Sequence, residues 1–539
     1  MSAETNPGTT PPRYDVVVVG AGFAGLYMLH RARSAGFSAH LYEAGDAVGG
    51  TWWWNRYPGA RCDFESLDYS YSFDDSLQQE WDWPERYSGQ PAIQGYLEHV
   101  TDRFGLRGSI TFGTRVAAAA FDEEARLWSL SAASGPLALA RHVVMATGSL
   151  STPRLPDIPG IGTFTGRSLH TGAWPAEPVD FTGRRVAVIG TGSSGVQVSV
   201  QIAEQAERLY VMQRTPSFVV PARHEPLDAE TLAAEKLRYA ERRALALQAP
   251  LGVDFATRPE PTLSLSAEEC DAEFEKRWPV GGAALLGAFP DLLVDAEANG
   301  RLAAYLKGKV REIVEEPGTA DLLTSMDYPV GARRLVVGPG FHAMFNRPEV
   351  ELVDVAGSPI QEITATGIRT TDGDYEVDDI VFATGFDAMT GALLAMDVRG
   401  RGGEPLADHW AAGPVTHLGL QAAGFPNLYF ITGPGSPSVF SNMVRSIEQH
   451  VDFVGDLLVE LRERGASTVE PTPEAEADWV RHVNDVAGQT LFLRTASWYM
   501  GANVPGKPRV FMPYVGGVPA YREICDKVAA TDYDGLVIA

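Results

Sequence analysis

Apolar and polar positions along the chain fall into two copies of one pattern. Tyr14-Asp15-Val16-Val17-Val18-Val19 is a near-continuous β-branched run, as expected of a central parallel strand covered on both faces. It leads into Gly20-Ala21-Gly22-Phe23-Ala24-Gly25, an apolar-periodic helix through Arg33, and a second strand over Ser38–Tyr42 ending at Glu43. The order recurs downstream. Arg184-Arg185-Val186-Ala187-Val188-Ile189 precedes Gly190-Thr191-Gly192-Ser193-Ser194-Gly195, a helix is predicted through Glu207, and a strand follows over Arg208–Gln213. The runs Val143–Gly148 and Ile380–Gly385 each end in Ala-Thr-Gly, after alternating segments at Thr111–Leu139 and Val350–Tyr375 that predict small meanders.

Three helical stretches separate these blocks: Asp228–Leu247, a helix opened by a Ser266/Glu269 capping box and ending near Trp278, and a periodic stretch over roughly Asp295–Glu316. Their charged faces are expected in solvent, and the insert is expected to shape an entrance. The Pro- and Gly-rich stretch Phe164–Pro175, holding Gly166, His170 and Trp174, predicts a connector of fixed turns rather than a helix or strand. A chain of 539 residues exceeds one core. The expected α/β fold is a two-dinucleotide-binding flavoprotein with two Rossmann-like domains, for FAD and NADP, and a helical insert. The first domain takes residues 1–150 and 386–539, the linker and second domain 151–222 and 333–385, and the insert 223–332.

Glycine spacing carries the chemistry. The first glycine makes the tight turn, the second lets backbone approach a pyrophosphate, and the third packs helix on strand. Pyrophosphate then meets free N–H groups at the helix N-terminus. Glu43 lies 23 residues after Gly20, in reach of ribose hydroxyls, whereas the same step from Gly190 lands on Gln213, followed by Arg214. A carboxylate would repel a 2′-phosphate and Arg can grip one. The first unit therefore suits FAD or NAD and the second NADP.

Net charge is −25 and the isoelectric point about 4.9, which argues against nucleic acid or an anionic membrane as general partners. Cys62, Cys270 and Cys525 are far apart, so disulfides, a metal site and a dithiol centre are not expected. No 18-residue apolar run occurs, and a cytoplasmic enzyme is the expectation. Oligomeric state is left open, a monomer included. Gly49-Gly50-Thr51-Trp52-Trp53-Trp54 sets three indoles in a loop, where a flat cofactor or a domain interface would cover them. Asp63, beside Arg61, is either a loop ion pair or the orienter of a functional cation.

Gly49–Asp63, Phe164–Pro175, Tyr69–Phe73, Gly433–Ser438, Ser446–His450 and Ser497–Arg509, with both glycine loops, resemble type I Baeyer–Villiger monooxygenases over nearly the whole chain. The branch of phenylacetone and steroid monooxygenases is the most similar. The resemblance implies insertion of one O₂-derived oxygen beside a ketone carbonyl, giving an ester or lactone through a C4a-peroxyflavin, with FAD and NADPH as cofactors. Sulfide or amine oxygenation is the alternative. It implies that Arg334 is the active-site arginine and that Asp63 positions it. Arg333, Arg214 and Thr215 would hold the 2′-phosphate, Trp498 the nicotinamide, and Tyr69 and Met443 would lie near the flavin. Ala24, Gly50, Thr51, Trp52, Val116, Thr191, Ser193, Ser194 and Gln197, with Asp63 and Arg334 themselves, complete the expected cofactor contacts. Gly338–His342 departs from the family pattern in a way expected to affect substrate entrance, and Phe440 is expected to face substrate. His170 and Trp174 are then expected to lock the linker rather than react.

Overall fold

The computed structural model describes residues 11–253 and 255–539. In the first sheet, Ile110–Thr111, Ala39–Tyr42, Arg13–Val19, Gly135–Met145 and Leu428–Phe430 lie side by side, each pair parallel. Val16, Val17 and Val18 have no exposure, because helices cover one face and a strand meander the other. That meander, Ala118–Asp122, Leu127–Ala132 and the start of Gly135–Met145, is antiparallel. Leu428–Phe430 brings the C-terminal part of the chain back into this sheet, and the long helix Met443–Arg464 packs on Phe23–Ser34 within the same core.

A second sheet is parallel throughout, in the order Val350–Asp354, Arg208–Gln213, Arg185–Ile189, Asp379–Phe382, Arg167–His170. Its own meander is Ile360–Ile363, Gly367–Thr370 and Asp374–Glu376. Two expectations change here. Arg167–His170 is a strand, not a turn, because it pairs with Asp379–Phe382 and Arg167 grips the fully buried Asp379 at 2.5 and 2.7 Å. The helix expected through Glu207 is Ser193–Ala203, ending four residues sooner.

The helical stretches are Ala229–Leu237, Tyr239–Gln248, Ala267–Arg277 and Ala296–Ile313. The capping box forms, with Ser266 Oγ accepting from the Glu269 amide and the Glu269 carboxylate from the Ser266 amide. The charged residues are not all solvated as expected. Arg277 is buried against Glu273 at 2.7 Å, and Arg243 is buried against Gln78 and Ser70 of the first nucleotide-binding block. Arg242 binds both Asp68 and Glu65, so ion pairs clamp the insert onto that block.

Candidate active site

Both glycine loops adopt the geometry that their spacing implies. Gly20 and Gly190 have φ of +103° and +109°, and in each a Cβ would stand 2.6 Å from a carbonyl oxygen, of Ala146 and Ala383 respectively. Those carbonyls belong to the two Ala-Thr-Gly strand ends, so the tripeptide closes the floor under each glycine turn. A Cβ at Gly25 or Gly195 would overlap the carbonyl of Gly20 or Gly190, which is how the third glycine brings helix onto strand. The helices Phe23–Ser34 and Ser193–Ala203 start at Gly22 and Gly192 without a side-chain cap. Their first N–H groups are free for an anion. The donor sets and the space fit a pyrophosphate at each.

Around the first loop, Glu43 is buried and accepts from the Ala21 amide at 2.6 Å and the Gly45 amide at 2.7 Å. Ala24 and Val116 are buried, Val116 in the core that also holds Tyr42. Gly50 backs onto Gly22, whose added Cβ would meet the Gly50 Cα at 3.5 Å. Thr51–Trp54 is a single helical turn. Trp52 is buried and donates to Tyr69 Oη at 3.3 Å, and the Trp53 ring lies under the Arg56 guanidinium at 4.0 Å. Met443 opens the helix Met443–Arg464, between the core of the first sheet and the aromatic cluster around Phe440.

Around the second loop the picture is more open. Thr191 donates to the Thr215 carbonyl at 3.2 Å, and Ser193 and Ser194 sit half-buried in the first helical turn. A Cβ at Gly192 would meet nothing within 4 Å. Gln213 turns inward to the Leu322 carbonyl, leaving Arg214 exposed and with no partner among the described residues. Arg333 stacks over Tyr328 at 4.9 Å and donates to the Ala496 carbonyl, while Tyr328 donates to the carbonyl of Pro216, one residue past Thr215. Tyr328 thus links Arg333 to the Arg214–Thr215 corner, a connection with no signal in the sequence.

The two units meet through Gln197, which accepts from Tyr57 at 2.8 Å and donates to the Arg61 carbonyl at 3.1 Å. Burial pushes the Tyr57 phenol up to about 12. Trp174 is buried between Tyr57 and Phe181, and its amide donates to the Trp54 carbonyl. His170 accepts through Nδ1 from the Gly172 amide and directs Nε2 at the Arg154 carbonyl, and burial lowers its pKa. The linker stretch therefore touches both units.

Between them lies a cavity of about 670 Å³. Its walls are largely apolar, with Leu245, Leu251 and Phe289 contributed by the insert and Phe440 by the loop before Met443. Phe440 lines the cavity and packs on Phe492, Tyr499 and Phe511. Gly338–His342 does not line it. A Cβ at Gly338 would strike Val196 and Val219, and burial lowers the His342 pKa to about 4. At one wall Asp63 meets Arg334, with Oδ2 accepting from Nε at 2.8 Å and standing 2.6 Å from Nη2. The Val439 carbonyl accepts from Nη1 at 2.9 Å. Burial works against the Arg334 charge, and the Asp63 carboxylate more than offsets it, so the guanidinium is held above its ordinary range. Arg61 pairs instead with Glu85 at 2.6 Å, leaving Asp63 to Arg334. Trp498 packs at a tilt against Tyr499, with ring centroids 4.3 Å apart.

Residues 14–240 match the pyridine nucleotide-disulphide oxidoreductase family. The three cysteines are free and buried, so the nucleotide fold is shared without a reactive thiol pair. A Baeyer–Villiger monooxygenase of Pseudooceanicola batsensis is 40% identical over 542 residues, spanning 100% of this chain and 98% of the relative. A phenazine N-monooxygenase of Lysobacter antibioticus is 39% identical, with 97% of each chain covered. The structure of an oxidized steroid monooxygenase bound to NADP superposes with a TM-score of 0.94 at 50% identity, covering 98% of this chain and 99% of the other.

Proposed function

The chain belongs to the Baeyer–Villiger monooxygenase family, and from that premise we infer the following division of labour among its residues. It is a flavoprotein monooxygenase using FAD and NADPH, converting a ketone, O₂, NADPH and a proton into an ester or lactone, water and NADP⁺. Flavin, when bound, supplies the redox chemistry that passes reducing equivalents from NADPH to dioxygen. The observation that carries the site assignment is the Arg334–Asp63 pair at the wall of a largely apolar cavity.

Arg334 offers a fixed positive charge where a carbonyl oxygen would gain negative charge, against largely apolar walls. Asp63 fixes the plane of the guanidinium through Nε and Nη2, and Val439 holds Nη1. Glu43 would receive the ribose of FAD, and Tyr69, Met443, Trp52 and Val116 would hold the flavin. Arg214, Thr215 and Arg333 would take the 2′-phosphate of NADP, and Trp498 would contact the nicotinamide. His170 and Trp174 hold the linker while the second unit moves. The apolar walls favour apolar ketones over charged ones. Among the described residues no helix is long and apolar enough to cross a membrane, and the three free cysteines suit a cytoplasmic enzyme.

The N-oxygenating relative keeps amine or sulfide oxygenation as a second reading. NADPH consumption by the purified yellow protein across aryl, cyclic and steroid ketones and thioethers, with products identified, separates the two. Esters or lactones are expected, and their absence from every ketone would sink the first reading.

A further inference from the structure

The cavity holds three buried hydroxyls, and two are already engaged. Ser441 bonds to Ser446 and the Ser438 carbonyl, and Tyr514 faces His482 at 3.4 Å. Tyr499 is 2% exposed, lines the same cavity as Arg334 and Asp63, and its hydroxyl has no partner among the described residues. The ring is buried while the residue borders the cavity, which leaves its hydroxyl as a donor available to what the cavity holds.

Its ring is fixed on several sides. Phe440 lies 4.4 Å away, Trp498 4.3 Å, and Phe492 meets it edge-on at 6.2 Å. The Met512 amide donates to the Tyr499 carbonyl at 3.0 Å, which pins the main chain as well. The donor is therefore held in place before any substrate arrives, the condition under which a hydrogen bond contributes to rate rather than only to binding.

We propose that the Tyr499 hydroxyl is a second hydrogen-bond donor to the ketone oxygen, acting beside the Arg334 guanidinium. Three donor directions of Arg334 are committed to Asp63 and Val439, so a second group is needed to surround an oxygen gaining charge. A neutral phenol does this without burying another cation. Burial raises the Tyr499 pKa well above that of an ordinary tyrosine, against the opposing charge of Arg334, so the proton is shared and never given up. The proposal rests on the ketone-oxygenating function above.

Tyr499→Phe keeps the ring and its packing and removes only the oxygen. Loss of one preorganised donor lowers turnover about 10²-fold, and we expect that fall in kcat with a ketone. Flavin reduction by NADPH is expected to be unchanged. Oxygenation of a thioether develops no charge on a carbonyl oxygen and is expected to continue at the wild-type rate. A ketone rate equal to wild type overturns the proposal. So does an equal fall with ketone and thioether, which would mark Tyr499 as merely structural. A wild-type enzyme that makes no ester overturns the function instead, and the two failures are distinguishable.

Discussion

The two nucleotide-binding units share a backbone and differ in how far they close over it. Their glycine turns match within 6° in φ, and in both an added Cβ would stand 2.6 Å from the carbonyl oxygen of an Ala-Thr-Gly strand end. In the first unit, however, Gly50 closes on Gly22, and the acid at the strand end is buried and held by two amides. In the second, space beyond Gly192 is open and the strand-end cation Arg214 is exposed. One backbone thus serves two roles. The enclosed unit suits a cofactor that stays, and the open unit suits one that arrives reduced and leaves oxidised.

The largest expected effect comes from filling each turn. An alanine at a φ near +100° is strained by about 1–3 kcal/mol, and its Cβ would also press on a carbonyl oxygen. Gly20→Ala is expected to give colourless protein that retains no FAD. Gly190→Ala is expected to give yellow protein that NADPH no longer reduces. The absorption spectrum and an anaerobic NADPH titration check both, and the comparison fails if both variants lose the same cofactor.

A smaller effect is expected at the strand ends. Charge-assisted hydrogen bonds contribute about 1.5–3 kcal/mol, so Arg214→Ala should raise the KM for NADPH about 10- to 100-fold. NADH, lacking the 2′-phosphate, should be used as before, and FAD content should not change. Steady-state kinetics with both nucleotides reads this directly. An equal loss with NADH would place Arg214 outside phosphate recognition.

The distinction was legible in the sequence only where it was local. Apolar runs, glycine spacing and the Glu43/Gln213 contrast all lie within short segments, and so did the capping box at Ser266 and Glu269. The misreadings came from partners far along the chain. Arg167–His170 looks like a turn until Asp379–Phe382 pairs with it. Arg243 looks like a solvated charge until Gln78 and Ser70, 165 and 173 residues away, enclose it. The Arg334–Asp63 pair joins residues 271 apart, and only family resemblance selected them from other charged residues. Tyr328 and Tyr499 carried no such mark, because an aromatic in a loop has the same local pattern whether it packs, bridges or faces a cavity.

The smallest effect concerns acid. Burial lowers the pKa of His142 and His450 to about 3, and that of His342 to about 4, from an ordinary 6.5. The unfolded chain therefore binds protons first as pH falls, and stability from these groups is full above 6.5 and lost below it. His142 belongs to the first sheet, whereas His342 packs beside the second. The thermal midpoint should be unaffected by these groups above pH 6.5 and should fall by a few degrees toward pH 4. His342→Phe should lessen that fall, and an unchanged acid slope would remove His342 from the explanation.

The account centres on Arg334 serving the substrate rather than holding either cofactor. Arg334→Ala, loaded with FAD, can be followed through one turnover: anaerobic reduction by NADPH, then oxygen and ketone, with ester quantified. Reduction near the wild-type rate with no ester is the predicted result. Ester at the wild-type yield, or a flavin that NADPH cannot reduce, would contradict it.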